Sequence, residues 1–96
     1  MKQYRITRTA QTDLDQIWDY IAIDDIKTAD RFIDELIERI QTLAVTPGVG
    51  RTRPEFTENL LCLPFGNYLI FYRSNKELVE IIRILSTFRD LPSLFE

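Results

Sequence analysis

The side chains able to do chemistry in these 96 residues are arginines and carboxylates, because the chain has no histidine and a single cysteine. Histidine is the usual general base near neutral pH, so its absence excludes Ser-His-Asp and Cys-His catalytic arrangements. Cys62 alone can form no intramolecular disulfide, and a structural zinc site, which takes four nitrogen or thiolate ligands, finds no set here. Within Leu60-Leu61-Cys62-Leu63 it reads as a small buried apolar residue. No metal and no cofactor is expected.

Charge remains, and it is unevenly placed. Residues 1–46 carry six cations (Lys2, Arg5, Arg8, Lys27, Arg31, Arg39) against nine carboxylates, whereas residues 47–96 carry six of each, so the first half holds the whole net charge of −3. The cations of the second half are arginines except for Lys76. Arginine's rigid fork suits bidentate contact with carboxylates or phosphates, which makes Arg51, Arg53, Arg73, Arg83 and Arg89 the candidate recognition residues. Arg83 stands out inside Ile81-Ile82-Arg83-Ile84-Leu85, because an unpaired charge in mid-strand is costly and must meet a carboxylate or an exposed groove. Arg73 reads equally as a solvated strand end. Asp13, Asp15 and Asp19 read as the solvated face of a helix, with Asp13 and Asp15 near its positive start.

The elements that must position these groups follow from periodicity. Tyr4 and Ile6 alternate with polar residues, the period of a half-buried strand. Ala10, Leu14, Ile17 and Ile21 then fall on one helical stripe, with Thr9 as an N-cap candidate. Ile23-Asp24-Asp25-Ile26-Lys27 breaks that rhythm, and Thr28 offers a second N-cap. After it, Ala29, Phe32, Ile33, Leu36, Ile37, Ile40 and Leu43 form a wide apolar stripe, so the two helices should pair as a hairpin. Pro47-Gly48-Val49-Gly50 ends the second helix. Arg51 to Asn59 is polar and reads as loop.

Leu60 to Leu63, Tyr68 to Arg73 and Leu78 to Leu85 follow as strands separated by turn-like Pro64-Phe65-Gly66-Asn67 and Ser74-Asn75-Lys76-Glu77. An antiparallel meander results, covered on one face by the helices: an α+β fold of order β-α-α-β-β-β on a small antiparallel sheet. A four-residue final turn would pair Arg73 with Leu78 and set Arg83 beside Tyr68. A shift of one residue would put Arg73 and Arg83 on one face.

Length and composition predict one domain over 1–96, since 45% apolar residues can fill one core but the chain is too short for two. There is no signal-peptide pattern and no apolar run of the roughly 18 residues a membrane span needs. The expected location is the cytoplasm, away from membranes. Trp18, off the main stripe of the first helix, reads as a partner-binding anchor or as lining of the helical hairpin. Tyr68, Phe71 and Tyr72 read as sheet packing or as partner contacts.

The order of elements and several strings resemble the ParE/RelE superfamily of toxins from type II toxin-antitoxin systems, and its ParE branch in particular. The matching residues are Ala10, Asp13-Leu14 and Ile17; Ala29 and Phe32; Pro47-Gly48-Val49-Gly50-Arg51; the stretch Leu63 to Arg73; and the stretch Ile81 to Leu91. The resemblance implies a toxin that binds and inhibits DNA gyrase, has no catalytic residues, and is neutralised by a cognate antitoxin, with no nucleic-acid binding of its own. It implies target contacts by Arg51, Arg53, Arg73, Arg83, Phe88 and Arg89, and antitoxin contacts by Trp18, Tyr68, Phe71 and Tyr72. The antitoxin is expected to be basic where this chain is acidic.

RelE relatives instead cleave messenger RNA on the ribosome, and the same fold serves both activities. In those nucleases an arginine stands where this chain has Leu63, and a C-terminal tyrosine where it has Phe95. Only Arg89 matches their cationic set. Ser86 replaces a histidine frequent in ParE relatives, leaving Arg89-Asp90 as the matched pair there. The acidic balance also disfavours docking on ribosomal phosphate. A ribosome-dependent endoribonuclease is the alternative, and a non-toxic partner-binding relative a third.

Overall fold

Thr7 starts the first helix. Its backbone is extended, its hydroxyl accepts the Ala10 N–H at 3.2 Å, and α1 runs from Arg8 to Ala22. This N-cap lies two residues before the expected Thr9, because Thr7 also ends the preceding strand β1 (Gln3–Ile6) and donates its hydroxyl to the carbonyls of Ile81 and Ile82. The second helix, α2 (Ile26–Val45), is capped by Asp25 rather than Thr28. Asp25 accepts the Lys27 N–H at 3.0 Å and the Thr28 hydroxyl at 2.8 Å, so Thr28 already lies inside the first turn and supports the cap. These positions come from a computed structural model that describes residues 3–47, 51–52 (as backbone), 60–75 and 77–87.

The Asp25 cap makes a pH prediction. The Thr28 hydroxyl first, and the Lys27 amide second, hold its carboxyl below the ordinary aspartate value. A carboxyl whose pKa is lower in the folded state stabilises that state above its unfolded pKa, and the contribution is lost as pH falls through the folded value. Denaturation midpoints measured from about pH 6 to about pH 2 should therefore fall less steeply at the acid end in Asp25→Ala than in the parent chain.

Five strands form one sheet in the order β1-β5-β4-β3-β2. β3 (Leu61–Phe65), β4 (Tyr68–Ser74) and β5 (Leu78–Ser86) make the expected antiparallel meander. The sheet is nevertheless mixed, because β1 joins β5 in parallel, Gln3 opposite Leu78 through Ile6 opposite Ile81. A second departure is β2, Arg51–Thr52, which pairs with Cys62 and Leu61 where a loop was expected. Two polar residues carry no period of their own, and their pairing is set by the neighbouring strand.

Turn chemistry fixes the meander. Gly66, at φ +58°, opens a two-residue hairpin turn between Phe65 and Tyr68, a conformation that glycine adopts without steric cost. Pro64 is tolerated because it lies beyond the part of β3 that pairs with β2. At the other hairpin the Asn75 side chain accepts the N–H groups of Glu77 and Leu78 at 2.9 and 2.8 Å. Ser74 consequently pairs with Val79 and Arg73 with Glu80, which is neither of the two registers anticipated. A bulge follows: Tyr72 faces Ile81, but Phe71 faces Arg83, so β5 carries one extra residue.

The helices cover one sheet face. Leu14, Ile17, Leu36, Ile40 and Leu43 pack there with Ile70, Tyr72, Val79, Ile81 and Ile84 in the main core. Leu60, Cys62, Leu69, Phe71 and Leu85 form a second buried cluster on the opposite face, as the strand alternation requires. Among the described residues, no helix is long and apolar enough to cross a membrane.

Candidate functional site

The bulge in β5 determines what Arg83 does. The extra residue breaks the alternation, so Arg83 reaches α1 while the adjacent Ile84 still lies in the helix-side core. Its guanidinium donates through Nε to Asp13 Oδ2 at 2.8 Å and through a terminal nitrogen to Asp13 Oδ1 at 3.1 Å, a bidentate pair. The carboxylate that the mid-strand arginine required is therefore internal.

Asp13 does more than pair a charge. Its Oδ2 also accepts the Ile84 N–H at 3.0 Å. β1 stops pairing with β5 at Ile81, whose carbonyl accepts both the Thr7 N–H at 3.1 Å and the Thr7 hydroxyl; beyond it side chains take over, the same hydroxyl on the Ile82 carbonyl and the Asp13 carboxylate on the Ile84 amide. A single α1 carboxylate substitutes for a missing strand neighbour.

Asp13 is only 6% exposed, whereas Asp15 and Asp19 are exposed. Grouping the three as a solvated face is thus wrong for Asp13. The signal was present in its spacing: it lies three residues after Ala10 and four before Ile17, on the border of the apolar stripe.

The other described cations do not gather around this pair. Arg73 is exposed on the sheet face away from the helices and opposes Glu80, which is ion-paired to Arg5 of β1. Arg73 and Arg83 are therefore not brought together: Arg83 is held by Asp13 of α1, and Arg73 opposes Glu80, three residues earlier on β5. Arg51 contributes backbone pairing to β2, and Arg53, Phe88 and Arg89 lie outside the described residues.

The aromatic candidates divide in the same way. Phe71 and Tyr72 are wholly buried, in agreement with their reading as sheet packing. Tyr72 donates its hydroxyl to the Pro47 carbonyl at 2.6 Å. Trp18 donates its indole N–H to Asp30 at 2.8 Å and so ties α1 to α2 along the hairpin. Tyr68 is half-buried, its ring 5.7 Å from that of Phe32.

Tyr68 and Phe32 belong to the wall of an open groove of about 730 Å³ between α1 and the end of the meander. Ile17, Ile21 and Ile84 add apolar surface, and Gln16, Asn67 and Ser86 supply uncharged polar groups. Tyr20, which the sequence reading had not singled out, stands on its lip and is 70% exposed. Among the described residues the groove brings together no acid–base pair with an open position for a substrate. The one carboxylate lining it, Asp13, is occupied by Arg83 and Ile84.

A bulged meander under a helical hairpin, with an α1 aspartate locking the last strand, can now be set beside known proteins. The family model described as the ParE toxin of the type II toxin-antitoxin system parDE matches residues 4–91. The chain belongs to the ParE toxin family. Toxin ParE1 of Caulobacter vibrioides is 35% identical over 86 residues, which cover 88% of each chain. Toxin ParE1 of Mycobacterium tuberculosis is 29% identical over 86 residues, covering 86% of this chain and 87% of the relative.

Two solved structures share the ParE-family fold seen here. A chain of the chromosomal ParDE system from P. aeruginosa superposes with a TM-score of 0.76 at 24% identity, over 90% of this chain and 96% of that one. A chain of the toxin-antitoxin complex RelBE2 from Mycobacterium tuberculosis gives 0.69 at 21% identity, over 88% and 96%. The same architecture thus occurs in a chain of a ParDE system and in a chain of a RelBE2 complex, and fold alone does not decide an activity.

Proposed function

We propose that this ParE-family chain is a toxin that inhibits DNA gyrase by binding it, works in the cytoplasm without catalysing a reaction, and is neutralised by an antitoxin protein. The observation that carries the protein-binding reading over RNA cleavage is the dispersal of Arg73 and Arg83 among the described residues. Cleavage of an RNA phosphodiester needs charge-stabilising and proton-transfer groups around one phosphate. Here Arg83 is committed to Asp13, Arg73 opposes Glu80 instead of joining it, and there is no histidine. A surface that only grips another protein needs no such convergence.

The target surface in this reading is the sheet face that bears Arg73, joined by Arg51, Arg53, Phe88 and Arg89, which are assigned to it from sequence. Arg83 serves it indirectly by fixing β5. The ParDE and RelBE2 relatives occur in toxin-antitoxin systems and complexes, which supports an antitoxin partner.

A supercoiling assay with purified gyrase tests the target. Stoichiometric toxin should inhibit supercoiling, and Arg73→Glu should weaken that inhibition about tenfold, as loss of an interface arginine commonly does. Undiminished supercoiling would sink the gyrase reading. Translation-dependent cleavage of messenger RNA by the same preparation would replace it with the endoribonuclease, and unaffected growth on expression without antitoxin would favour a non-toxic relative.

A further inference from the structure

β5 outruns its outer neighbour. β1 stops opposite Ile81 whereas β5 continues to Ser86, so among the described residues the stretch from Ile82 to Ser86 has a strand on one side only. An edge of that kind offers unpaired N–H and C=O groups. Side chains from α1 and its cap take two of them: the Thr7 hydroxyl donates to the Ile82 carbonyl at 3.2 Å, and Asp13 Oδ2 accepts the Ile84 N–H at 3.0 Å. The bulge falls in the same stretch, with Tyr72 opposite Ile81 and Phe71 opposite Arg83. A bulge bends its strand and increases the twist, so pairing with β4 leaves the direction of the strand beyond it only partly determined.

Asp13 supplies the missing constraint. It sits on a regular helix, is 6% exposed, and takes two hydrogen bonds from Arg83 and one from Ile84. One carboxylate thus holds the side chain of one residue and the backbone of the next, just past the bulge. The helix that carries it is itself anchored on β5 by Thr7, whose N–H and hydroxyl both meet the Ile81 carbonyl. On the other side, the ladder to β4 runs to Tyr68 opposite Ser86, and the Thr87 N–H donates to the Asn67 carbonyl at 2.9 Å. Without Asp13 the end of β5 therefore stays attached along β4 but is free to tilt about it.

Phe88 and Arg89, assigned to the target surface from sequence, follow Thr87 directly in the chain. From Ile84 to Thr87 is about 10 Å of extended backbone, so a tilt of about 10° moves Thr87 by about 2 Å. A recognition segment held in advance also loses less conformational freedom on binding than one that must first be ordered.

We propose that Asp13 is a positioning residue for target recognition: through Arg83 and the Ile84 amide it sets the direction in which β5 delivers Phe88 and Arg89. The inference rests on the gyrase reading. It is separate from global stability, since a folded chain with a freed strand end keeps its core.

The full-length parent, Asp13→Ala, Asp13→Asn and a core truncation on α2, Ile40→Ala, are titrated against purified gyrase in the supercoiling assay. The temperature is one at which circular dichroism shows each preparation folded. Ile40 is fully buried and takes no part in the Asp13 bonds, so its variant reports what destabilisation alone does. Asp13→Ala should need about tenfold more protein for half-inhibition. Asp13→Asn keeps an acceptor for the Ile84 N–H but loses the charge; it should need about threefold more, and it carries the test should Asp13→Ala not fold. Ile40→Ala should stay within about twofold of the parent, because the two sites share no partner.

Amide hydrogen exchange, read by mass spectrometry, is the second measurement. In the Asp13 variants exchange at 82–87 should accelerate several-fold more than exchange along α2, an excess that Ile40→Ala should not show. Half-inhibition at the parent concentration by the folded Asp13 variants, or no local excess of exchange at 82–87, overturns the positioning role and leaves the gyrase reading intact. An equal loss of inhibition in Ile40→Ala assigns the effect to global stability and overturns the role as well. A parent chain that does not inhibit gyrase overturns the gyrase reading and this role with it.

Discussion

Asp13→Ala should cost this protein about 3 kcal/mol, a loss set by what the carboxylate leaves behind rather than by the ion pair itself. Removing it strands the Arg83 guanidinium, whose side chain is 21% exposed, and deprives the Ile84 N–H of its acceptor. Breaking one side of a buried pair costs about 3 to 5 kcal/mol, and Arg83's partial contact with water places this case at the lower end. A chain of this length has roughly 5 to 14 kcal/mol of total stability, so the loss is a large share of it.

Two companion variants separate the contributions. Asp13→Asn keeps an oxygen for the Ile84 N–H and removes only the charge, so its cost should fall between parent and Asp13→Ala. Asp13→Leu combined with Arg83→Leu removes both charges, and its cost should be below the sum of the single substitutions while still above zero, because Ile84 stays unsatisfied. Urea denaturation of the parent, these three variants and the two single leucine substitutions measures each cost. A cost below about 1 kcal/mol for Asp13→Ala would mean that water satisfies these groups, as it does for a surface pair.

How much of this was legible in the sequence varies with the range of the cause. The α2 stripe from Ala29 to Leu43 was readable because burial follows a period of 3.6 along one helix, and each of its seven residues is buried or half-buried. A turn through Gly66 was readable from turn chemistry, although Pro64 and Phe65, expected inside it, belong to β3 and pair with Leu69 and Tyr68. The register at Asn75 and the bulge at Arg83 were not, since both arise from contacts outside the strand that shows them.

Asp13 and Arg83 illustrate the limit. The cost of an unpaired mid-strand charge correctly demanded a partner for Arg83, but the partner lies 70 residues away, and only the fold brings it near. Asp25 and Thr28 show the same limit locally: both are good capping residues, and the choice between them depends on where Ile23 and Asp24 turn the chain. The parallel pairing of β1 was equally hidden, because a four-residue alternating strand has the same appearance in either direction.

Tyr72 supplies the other large effect. Its ring is fully buried between the helices and the sheet, and its hydroxyl reaches the Pro47 carbonyl just beyond the end of α2. Two functions are thus joined in one side chain: the ring fills the core, and the hydroxyl pins the exit of the long helix onto β4. Tyr72→Ala should cost about 4 kcal/mol, as truncation of a buried aromatic leaves a cavity that neighbouring Ile40 and Ile81 cannot fill without moving.

Tyr72→Phe keeps the ring and loses only the hydroxyl, at about 1 kcal/mol, since the freed Pro47 carbonyl is at a helix exit where water can replace part of the bond. If the side chain acted instead as an antitoxin contact, Tyr72→Phe would lower antitoxin affinity while leaving stability unchanged. Burial predicts the reverse. Denaturation and calorimetric titration of the same Tyr72→Phe preparation should show a lower unfolding midpoint and an unaltered Kd.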